Sequence, residues 1–403
     1  MEIQPILSAL RKHKIPATLV VLEIALACAV LCNAIFMIGQ RVGELRMPNA
    51  IDQNGLVDIS VNGTDPRFVN ADIPRDLAAL QHIAGAIDAA AITSVPFGKS
   101  FGTDSVSAKA NDPDASGASR YMFTRTGPRT LGLRLLEGRF FNEDEYADSK
   151  LGDNISVPSG HVVIVTQSLA KRLWPGQNAL GREMWMGDHD YTVIGVVANV
   201  ARPGGDVIGH DYAYYATFFP LSPDPALTDY LVRTTPGDRT RVLHAAIAKL
   251  HALSPQAVIA GQTLTEIRDS AFANIRSTVW MLVQVCLVML AVTAFSIVGL
   301  SSFWVGQRRK QIGIRRALGG TRAQIAQYFQ TENFLLSTAG VAVGMILAYG
   351  ANLYLLAHYQ LDHMPWYYLP ASAAVLWILG QLAVLGPALR AAAVPPVVAT
   401  RST

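Results

Sequence analysis

The residues best suited to binding chemistry lie in one short arginine-rich segment, residues 307–324. On a helical wheel, four of its arginines fall on one arc and three apolar residues fall on the opposite arc. The basic arc comprises Arg308, Arg309, Arg315 and Arg316, and the apolar arc Ile314, Ala317 and Leu318. Guanidinium groups bind carboxylates and phosphates, so the pattern predicts a short amphipathic helix that docks on another molecule.

The ends of this helix are also encoded locally. Gly319 and Gly320 predict its C-terminal stop. Thr321, followed three residues later by Gln324, predicts a capping box that opens the next helix. A basic flank that only attracts anionic lipid would account for the charge, but not for the apolar arc or the two glycines. A docking role is therefore the favoured interpretation.

One stretch resembles the end of a phosphate-binding loop, namely Phe97-Gly98-Lys99-Ser100. Thr93 stands where that motif requires its first glycine, so we expect an ordinary loop after a strand. No other phosphate loop occurs in the sequence, and Ser, His and Asp residues show no triad arrangement. We therefore expect no catalytic residue in this chain and no ATP hydrolysis by it.

Two stretches combine histidine with acidic residues, which are residue types that bind metal ions. They are Asp188-His189-Asp190 and His210-Asp211. Adjacent residues cannot easily converge on one ion, and neither stretch has the spacing of a helical zinc motif. We expect turns at both places and no metal site, and a solvated turn at Glu143-Asp144-Glu145.

The composition indicates a membrane protein. Hydrophobic residues make up 51% of the 403 residues, and the mean hydropathy is +0.27. Four segments approach the roughly 20 apolar residues that a membrane span needs, namely 15–38, 279–305, 334–358 and 369–389. Residues 39–275 have the composition of a soluble domain, in which acidic residues outnumber basic ones. That balance gives no support for nucleic-acid binding.

Three polar residues lie within or beside the spans, where polar groups are often functional. They are Glu23, Gln284 and Glu332. Proton coupling would need carboxylates near the middle of several spans, and these positions do not provide them. We expect Glu23 and Glu332 to reach basic flanking residues such as Arg11 or Arg322.

The distribution of basic residues indicates the orientation in the membrane. Lys and Arg cluster before the first span, between the second and third, and after the fourth, whereas the loop 359–368 has none. The positive-inside rule then places both termini and the basic segment in the cytoplasm and the large domain outside. The cysteines, Cys28, Cys32 and Cys286, all fall in spans, so the outer domain is expected to contain no disulfide.

The outer domain shows strands and helices in mixed order, which predicts an α+β fold. The predicted strands are 56–61, 90–95, 161–166, 183–186, 191–197, 230–234 and 256–260, and the predicted helices are 74–84, 167–173 and 239–253. A further helix should begin with a capping box at Thr263 and Glu266 and run through Ile275 into the second span.

Three patches of sequence resemble the MacB/FtsX-like permeases of type VII ABC transporters. The first is the basic segment Q-R-R-K-Q-I-G-I-R-R-A-L-G-G-T. The second comprises G-L-R-L-L-E-G-R-F-F, V-V-I-V-T-Q-S-L-A-K-R-L-W-P-G-Q-N-A-L-G-R and Y-T-V-I-G-V-V in the outer domain. The third is the tail G-P-A-L-R-A-A-A-V-P-P-V-V-A-T-R. Together they extend over most of the chain.

The resemblance implies four transmembrane helices (TM1–TM4) with a two-lobed periplasmic α+β domain, like the MacB periplasmic core domain, between TM1 and TM2. The expected segments are a cytoplasmic N-terminal segment 1–16, TM1 17–38, the periplasmic core domain 39–275 with an inserted lobe at about 119–211, TM2 276–305, a cytoplasmic coupling helix region 306–327, TM3 328–357, a short periplasmic loop 358–369, TM4 370–390 and a cytoplasmic tail 391–403. The implied location is the bacterial inner membrane.

The resemblance also implies a non-catalytic permease subunit that couples ATP hydrolysis to motion of the periplasmic domain, in order to export a substrate such as a peptide, antibiotic or lipoprotein. The ATP and Mg²⁺ would be bound by a separate ABC ATPase, and this chain would hold no cofactor. Further implied partners are a second permease in a homo- or heterodimer and membrane lipids, with a periplasmic adaptor and outer-membrane channel left open. The coupling role is carried over to Gln307, Arg308, Arg309, Ile312, Gly313, Ile314, Arg315, Arg316, Ala317, Leu318 and Gly319.

Two alternatives remain at this stage. An FtsX-like transmembrane regulator or scaffold would control a periplasmic partner instead of exporting a substrate, although that branch usually has a shorter outer domain. A membrane-anchored receptor would have no ATPase at all.

Overall fold

The structure, a computed structural model, describes residues 14–99, 102–152, 155–204, 211–359 and 364–393. The described residues form two compact units, which divide after Val42 and after Ile275. We call them the helical unit and the mixed unit. The mixed unit comprises Gly43–Ile275, and its last residue is also the last residue of the predicted periplasmic core domain.

The described helices follow one another along the chain in this order. They are α1 (Lys14–Leu45), α2 (Val69–Gln81), α3 (Gly127–Leu131), α4 (Glu143–Asp148), α5 (Gln167–Leu173), α6 (Arg239–Leu253), α7 (Leu264–Ala271), α8 (Ala273–Gln307), α9 (Arg309–Ala317), α10 (Arg322–Tyr359) and α11 (Tyr368–Ala392). Short 3₁₀ helices lie at Pro66–Phe68 and Asp211–Tyr214.

All described strands lie in the mixed unit. They are β1 (Leu56–Asn62), β2 (Ala86–Ile92), β3 (Thr103–Ser107), β4 (Ser116–Phe123), β5 (Leu135–Gly138), β6 (Leu151–Gly152), β7 (Ile155–Pro158), β8 (Val162–Thr166), β9 (Glu183–Met186), β10 (His189–Val197), β11 (Ala216–Pro220), β12 (Asp229–Thr234) and β13 (Val258–Thr263).

Four helices of the helical unit, α1, α8, α10 and α11, are long and apolar enough to cross a membrane. Many of their large apolar side chains are exposed, for example Phe295 at 75% and Trp280 at 66%. In water this exposure would be costly, whereas in a bilayer such side chains contact lipid. The four helices therefore fit a membrane-spanning bundle.

Two glycines let α10 approach α1 closely. A Cβ atom at Gly344 would lie 2.4 Å from the Cβ of Cys28, and one at Gly340 would lie 2.7 Å from the Cβ of Ile24. The spacing Gly340-x-x-x-Gly344 puts both glycines on one face of α10, as in small-residue interfaces of membrane helices. Packing of α1 against α10 thus depends on the absence of side chains at these positions.

The mixed unit is built on one large sheet with two halves. The first half joins β2, β12, β1 and β13 in antiparallel order. The second runs β11-β8-β10-β9-β3-β4, with β8 parallel to β10 and β11 parallel to β4. One residue pair, Ile92 with Phe123, joins β2 to β4 and so connects the halves. The second half uses strands from Thr103 to Pro220, beyond the expected inserted lobe 119–211 at both ends.

Both faces of this sheet are covered. In β8, Val163 and Val165 belong to one hydrophobic core, whereas Ile164 between them belongs to the other. Successive side chains in a strand point to opposite faces, so a strand buried on both faces is apolar throughout. Burial on both faces explains the continuous apolar run of β8. The mixture of helices and strands in this unit confirms the predicted α+β class.

Several predicted elements agree with the structure. The helices Gln167–Leu173 and Arg239–Leu253 and the strand Glu183–Met186 have the predicted bounds. Other bounds shift by a few residues. The predicted helix 74–84 is observed as Val69–Gln81, with Pro74 inside it, and the predicted strand 256–260 as Val258–Thr263.

Two local predictions were wrong. The helix that begins after Thr263 does not run unbroken into the second span, because it ends at Ala271 and α8 begins only at Ala273, after Phe272. The acidic run at Glu143 is the first turn of α4 and not a turn without helix. There the backbone N–H of Asn142 donates to Glu145 Oε2 at 2.7 Å, which closes the start of the helix.

Candidate functional site

The basic segment forms α9, which is separated from its neighbours by defined ends. Gly319 has φ +96, and its N–H donates to the carbonyl of Arg316, while the N–H of Gly320 donates to the carbonyl of Arg315 at 3.0 Å. This pair of bonds is a Schellman motif, which satisfies the last carbonyls of α9. At the start of α10, Thr321 N–H donates to Gln324 Oε1 and Gln324 N–H to Thr321 Oγ1, which confirms the predicted capping box.

One side of α9 packs into the helical unit. Ile312 and Gly313 are its buried residues, with Ile312 only 6% exposed. Ile312 shares a small apolar cluster with residues of α8, α10 and α11, namely Val305, Ile325, Phe329, Ala388, Ala391 and Ala392. These contacts attach α9 to three membrane-type helices at once.

Three of the four arginines of the predicted basic arc make contacts within the helical unit. Arg308, between α8 and α9, forms a buried ion pair with Glu332 of α10. Arg316 donates from Nη1 to the carbonyl of Ala392 at 3.1 Å. The Arg315 guanidinium carbon lies 5.2 Å from the ring centre of Tyr328, a cation–π distance. These arginines thus help to hold α9 against α10 and α11.

The other side of α9 exposes apolar residues. Leu318 is 83% exposed and Ile314 is 49% exposed, and Ala317 between them is exposed as well. Arg309 and Lys310 are also exposed at the start of the helix. The structure therefore presents the predicted apolar arc as a surface, which we call the α9 surface and define as Ile314, Ala317 and Leu318.

The polar residues of the spans have different environments. Glu332 reaches a basic residue as expected, but its partner is Arg308 instead of the suggested Arg11 or Arg322. Glu23 Oε1 is buried, with no hydrogen-bond partner among the described residues, and Arg11 lies outside them. Gln284 is exposed on α8.

The remaining candidate groups lie in the mixed unit. Phe97-Gly98-Lys99 forms a loop after β2, as expected, and Ser100 lies outside the described residues. Asp188 occupies the turn between β9 and β10, and His189 and Asp190 open β10. His210 lies outside the described residues. In the described part of the chain, no three His, Cys, Asp or Glu side chains are grouped to hold a metal ion.

Two carboxylates on neighbouring strands of the mixed unit have shifted acidities. Burial raises the pKa of Asp58 well above its ordinary value, and the nearby charge of Asp229 adds to the rise. Burial also raises the pKa of Asp229 to about 6. The Lys99 ammonium opposes both shifts. Nothing beside this pair completes a catalytic arrangement among the described residues.

Sequence reasoning missed the close contact between α1 and α10. The spacing of Gly340 and Gly344 within an apolar segment was available as a signal. Sequence reasoning also did not find the partners of Arg308 and Arg316, since these partners lie 24 and 76 residues away in sequence.

Comparison with known proteins places these features in a family. The model described as MacB-like periplasmic core domain matches residues 18–250, more than half of the chain, and that described as FtsX-like permease C-terminal matches residues 285–396. The second match includes the whole of α9.

Similar curated proteins are named macrolide export ATP-binding/permease protein MacB. The protein of Chromobacterium violaceum is 26% identical over 226 residues, which cover 56% of this chain and 34% of that protein. The protein of Campylobacter jejuni is 25% identical over 223 residues, covering 54% of this chain and 33% of that protein. The chain thus spans about a third of the length of these relatives.

Among solved structures, the periplasmic region of MacB from Actinobacillus actinomycetemcomitans is 16% identical with a TM-score of 0.37, covering 55% of this chain and 93% of that one. The extracellular domain of the ABC-type transporter YknZ from Gram-positive bacteria is 13% identical with a TM-score of 0.35, covering 51% of this chain and 99% of that one. From the two family-model matches, the chain belongs to the family of MacB/FtsX-like permeases.

Proposed function

We propose that this chain is the permease subunit of an ATP-driven ABC transporter of the MacB type in the bacterial inner membrane. In this proposal a separate ABC ATPase subunit docks on α9 from the cytoplasm. Its ATP-driven movement is relayed through the helical unit to the mixed unit in the periplasm, where a substrate such as a peptide, antibiotic or lipoprotein is moved outward. A second permease completes the transporter.

The observation that carries the proposal is the two-sided environment of α9. One side is fixed in the bundle through Ile312, whereas the α9 surface is left exposed, with the exposed cation Lys310 one turn before Ile314. An apolar patch with a basic edge fits a protein groove with an acidic rim, the pattern of helix-in-groove recognition. Leu318 is 83% exposed, and a docked partner would remove it from water.

Contacts of the arginines within the helical unit indicate how a movement of α9 would reach the neighbouring helices. A force applied to α9 would reach α10 through the ion pair of Arg308 with Glu332, and α11 through the bond of Arg316 to the Ala392 carbonyl. We infer that these arginines transmit motion inside the subunit, and that the α9 surface makes the contact with the ATPase.

The test is site-specific photocrosslinking in living cells. A photoreactive amino acid at Leu318 should capture an ABC ATPase subunit, identified by mass spectrometry, whereas the same group at the exposed Leu136 of the mixed unit should not. In the purified transporter, Leu318→Ser should lower substrate-stimulated ATPase activity on the order of tenfold, since a buried leucine contributes about 1.5–3 kcal/mol to a contact. Leu136→Ser is the matched control. Capture of lipid alone, together with unchanged ATPase activity in Leu318→Ser, would contradict the proposal.

A further inference from the structure

An open cleft of about 620 Å³ lies in the second half of the mixed unit. It is bordered by α3 and by residues 132–146, which connect α3 to the first turn of α4. Its lining residues are Arg125, Pro128, Arg129, Gly132, Leu133, Arg134, Phe140, Phe141 and Tyr146. Clefts of roughly 300–1,000 Å³ are the usual size for sites that bind small molecules.

The charged residues that line this cleft are all basic. Three arginines line it, and no acidic residue is among its lining residues. Arg129 uses Nε to bind the buried carboxylate of Asp88 at 2.7 Å, and its side chain remains 78% exposed. Arg125 pairs with Glu143 at the surface, where both side chains are 71% exposed. Exposed ion pairs of this kind are weak, so an incoming anion can compete for Arg125. Arg134 forms no ion pair with a described residue.

The rest of the cleft wall is aromatic and aliphatic. Phe141 packs edge-to-face against Tyr146, with ring centres 5.8 Å apart, and Phe140 is also partly buried. Burial raises the pKa of Tyr146, an effect to which the charge of Glu145 adds, so the phenol is neutral at physiological pH. Aromatic faces beside guanidinium groups provide stacking for a flat or apolar ligand together with binding of its charge.

Hydrogen bonds within the protein hold this wall in place. Glu145 of α4 accepts two hydrogen bonds from Arg139, at 2.6 and 2.8 Å, and a third from the backbone of Asn142. Tyr146 is fixed from behind, because its carbonyl accepts a bond from Ser222 Oγ at 2.6 Å. A preformed wall lowers the entropic cost of binding, which favours a true ligand site over a loose surface groove.

We propose that this cleft binds a small organic anion with an apolar body. Its carboxylate or phosphate group would pair with Arg134 and Arg125, and its apolar part would lie on Phe140 and Phe141. Ligand binding in this cleft requires neither an ATPase nor transport, so its test is independent of the function proposed above.

The test is photolabelling of the full chain in lipid nanodiscs with 4-benzoylbenzoate, a small aromatic carboxylate. Its neutral amide, 4-benzoylbenzamide, is the matched probe. Labelled peptides are mapped by mass spectrometry, so that insertion of the probe into the lipid does not obscure the result. The carboxylate should label residues 125–146 at least about fivefold more than the amide does, since hydrogen bonds to a charged group are stronger than those to a neutral one.

Two variants make the result specific. Arg134→Gln should reduce carboxylate labelling of the cleft by about fivefold and leave amide labelling unchanged. Arg172→Gln, at an exposed arginine on α5 outside the cleft, should change neither. Equal labelling by both probes, labelling outside the cleft only, or equal effects of the two substitutions would each overturn the proposal. A phosphonate analogue of the probe separates a preference for phosphate from one for carboxylate, and stronger labelling by either anion than by the amide supports the site.

Discussion

The Nη1 atom of Arg308 lies 2.9 Å from the Oε2 atom of Glu332, and both side chains are buried in the helical unit, at 13% and 2% exposure. Arg308 follows the last residue of α8, and Glu332 lies in the third turn of α10. The pair therefore ties the ends of two membrane-type helices together beside α9. A buried charge without a partner is costly. Substituting one member of the pair should therefore lower the stability strongly, whereas substituting both members should lower it much less.

The first prediction concerns this ion pair. Glu332→Leu should lower the free energy of unfolding by about 3–5 kcal/mol, because the Arg308 charge stays buried without its partner. The double variant Arg308→Met with Glu332→Leu should recover most of this loss. Denaturant unfolding of the full chain in detergent measures both, and Arg67→Gln in the exposed pair with Asp65 should leave the free energy of unfolding nearly unchanged. A double variant as unstable as the single one would contradict the assignment.

The second prediction concerns the contact of α10 with α1. Gly344→Leu should destabilise the helical unit by about 1–3 kcal/mol, since its Cβ would overlap Cys28 and the Ala25 carbonyl. Gly350→Leu on the same helix is the matched control, because a Cβ there meets nothing within 4 Å. Thermal unfolding of the two purified variants in detergent gives the comparison. Similar melting temperatures would show that α1 and α10 do not pack in this way.

The third prediction concerns pH. The pKa of Asp229 is about 6 in the folded protein and that of Asp58 is also raised, whereas an unfolded aspartate has a pKa of about 3.9. Between about pH 4 and pH 6 the folded state keeps protons that the unfolded state has released, so the free energy of unfolding falls as pH rises through this window. Asp58→Asn removes the carboxyl group whose pKa is raised by burial, so it should stabilise the mixed unit at pH 7.5.

Melting temperatures at pH 5.0 and 7.5 measure this effect. The difference between the two pH values should shrink in Asp58→Asn. It should be unchanged in Asp188→Asn, which removes an exposed carboxylate in a turn. An Asp58→Asn variant with the same pH dependence as the unaltered chain would rule out the pair as its source.

The fourth prediction concerns the end of α9. Gly319 has a left-handed backbone with φ +96 and open space around it, so Gly319→Ala introduces backbone strain without a steric clash. The cost should be about 1 kcal/mol, confined to the last turn of α9. Hydrogen exchange should speed up about fivefold at the amide of Gly320, which bonds to the Arg315 carbonyl. Gly299→Ala, inside α8 with open space and an ordinary helical backbone, should leave that exchange unchanged.

Elements with local signals could be predicted closely from the sequence. The helix Arg239–Leu253 has an apolar stripe at helical spacing, and the capping box at Thr321 and Gln324 uses residues three positions apart. Such features are set by neighbours in the chain, so no knowledge of the tertiary fold is needed. The same holds for the stop at Gly319.

Features that depend on distant residues could not be predicted in the same way. The wheel of α9 grouped Arg308, Arg315 and Arg316 as one basic arc, but it could not show that Glu332, Tyr328 and Ala392 would lie beside them. The break at Phe272 is similar. Its ring packs in a core with Phe97, and a helix-period count cannot register that contact. The sheet order, with β2 joined to β4 by a single pair, also depends on long-range packing.

All three cysteines of the chain are buried in α1 and α8. A cysteine introduced at a surface position, such as Asp188 in the turn before β10 or Leu318 on α9, would therefore be the one thiol open to a water-soluble maleimide. No native residue has to be replaced beforehand. Labelling of intact cells against opened cells with these two variants then reports directly on which side of the bilayer each unit lies.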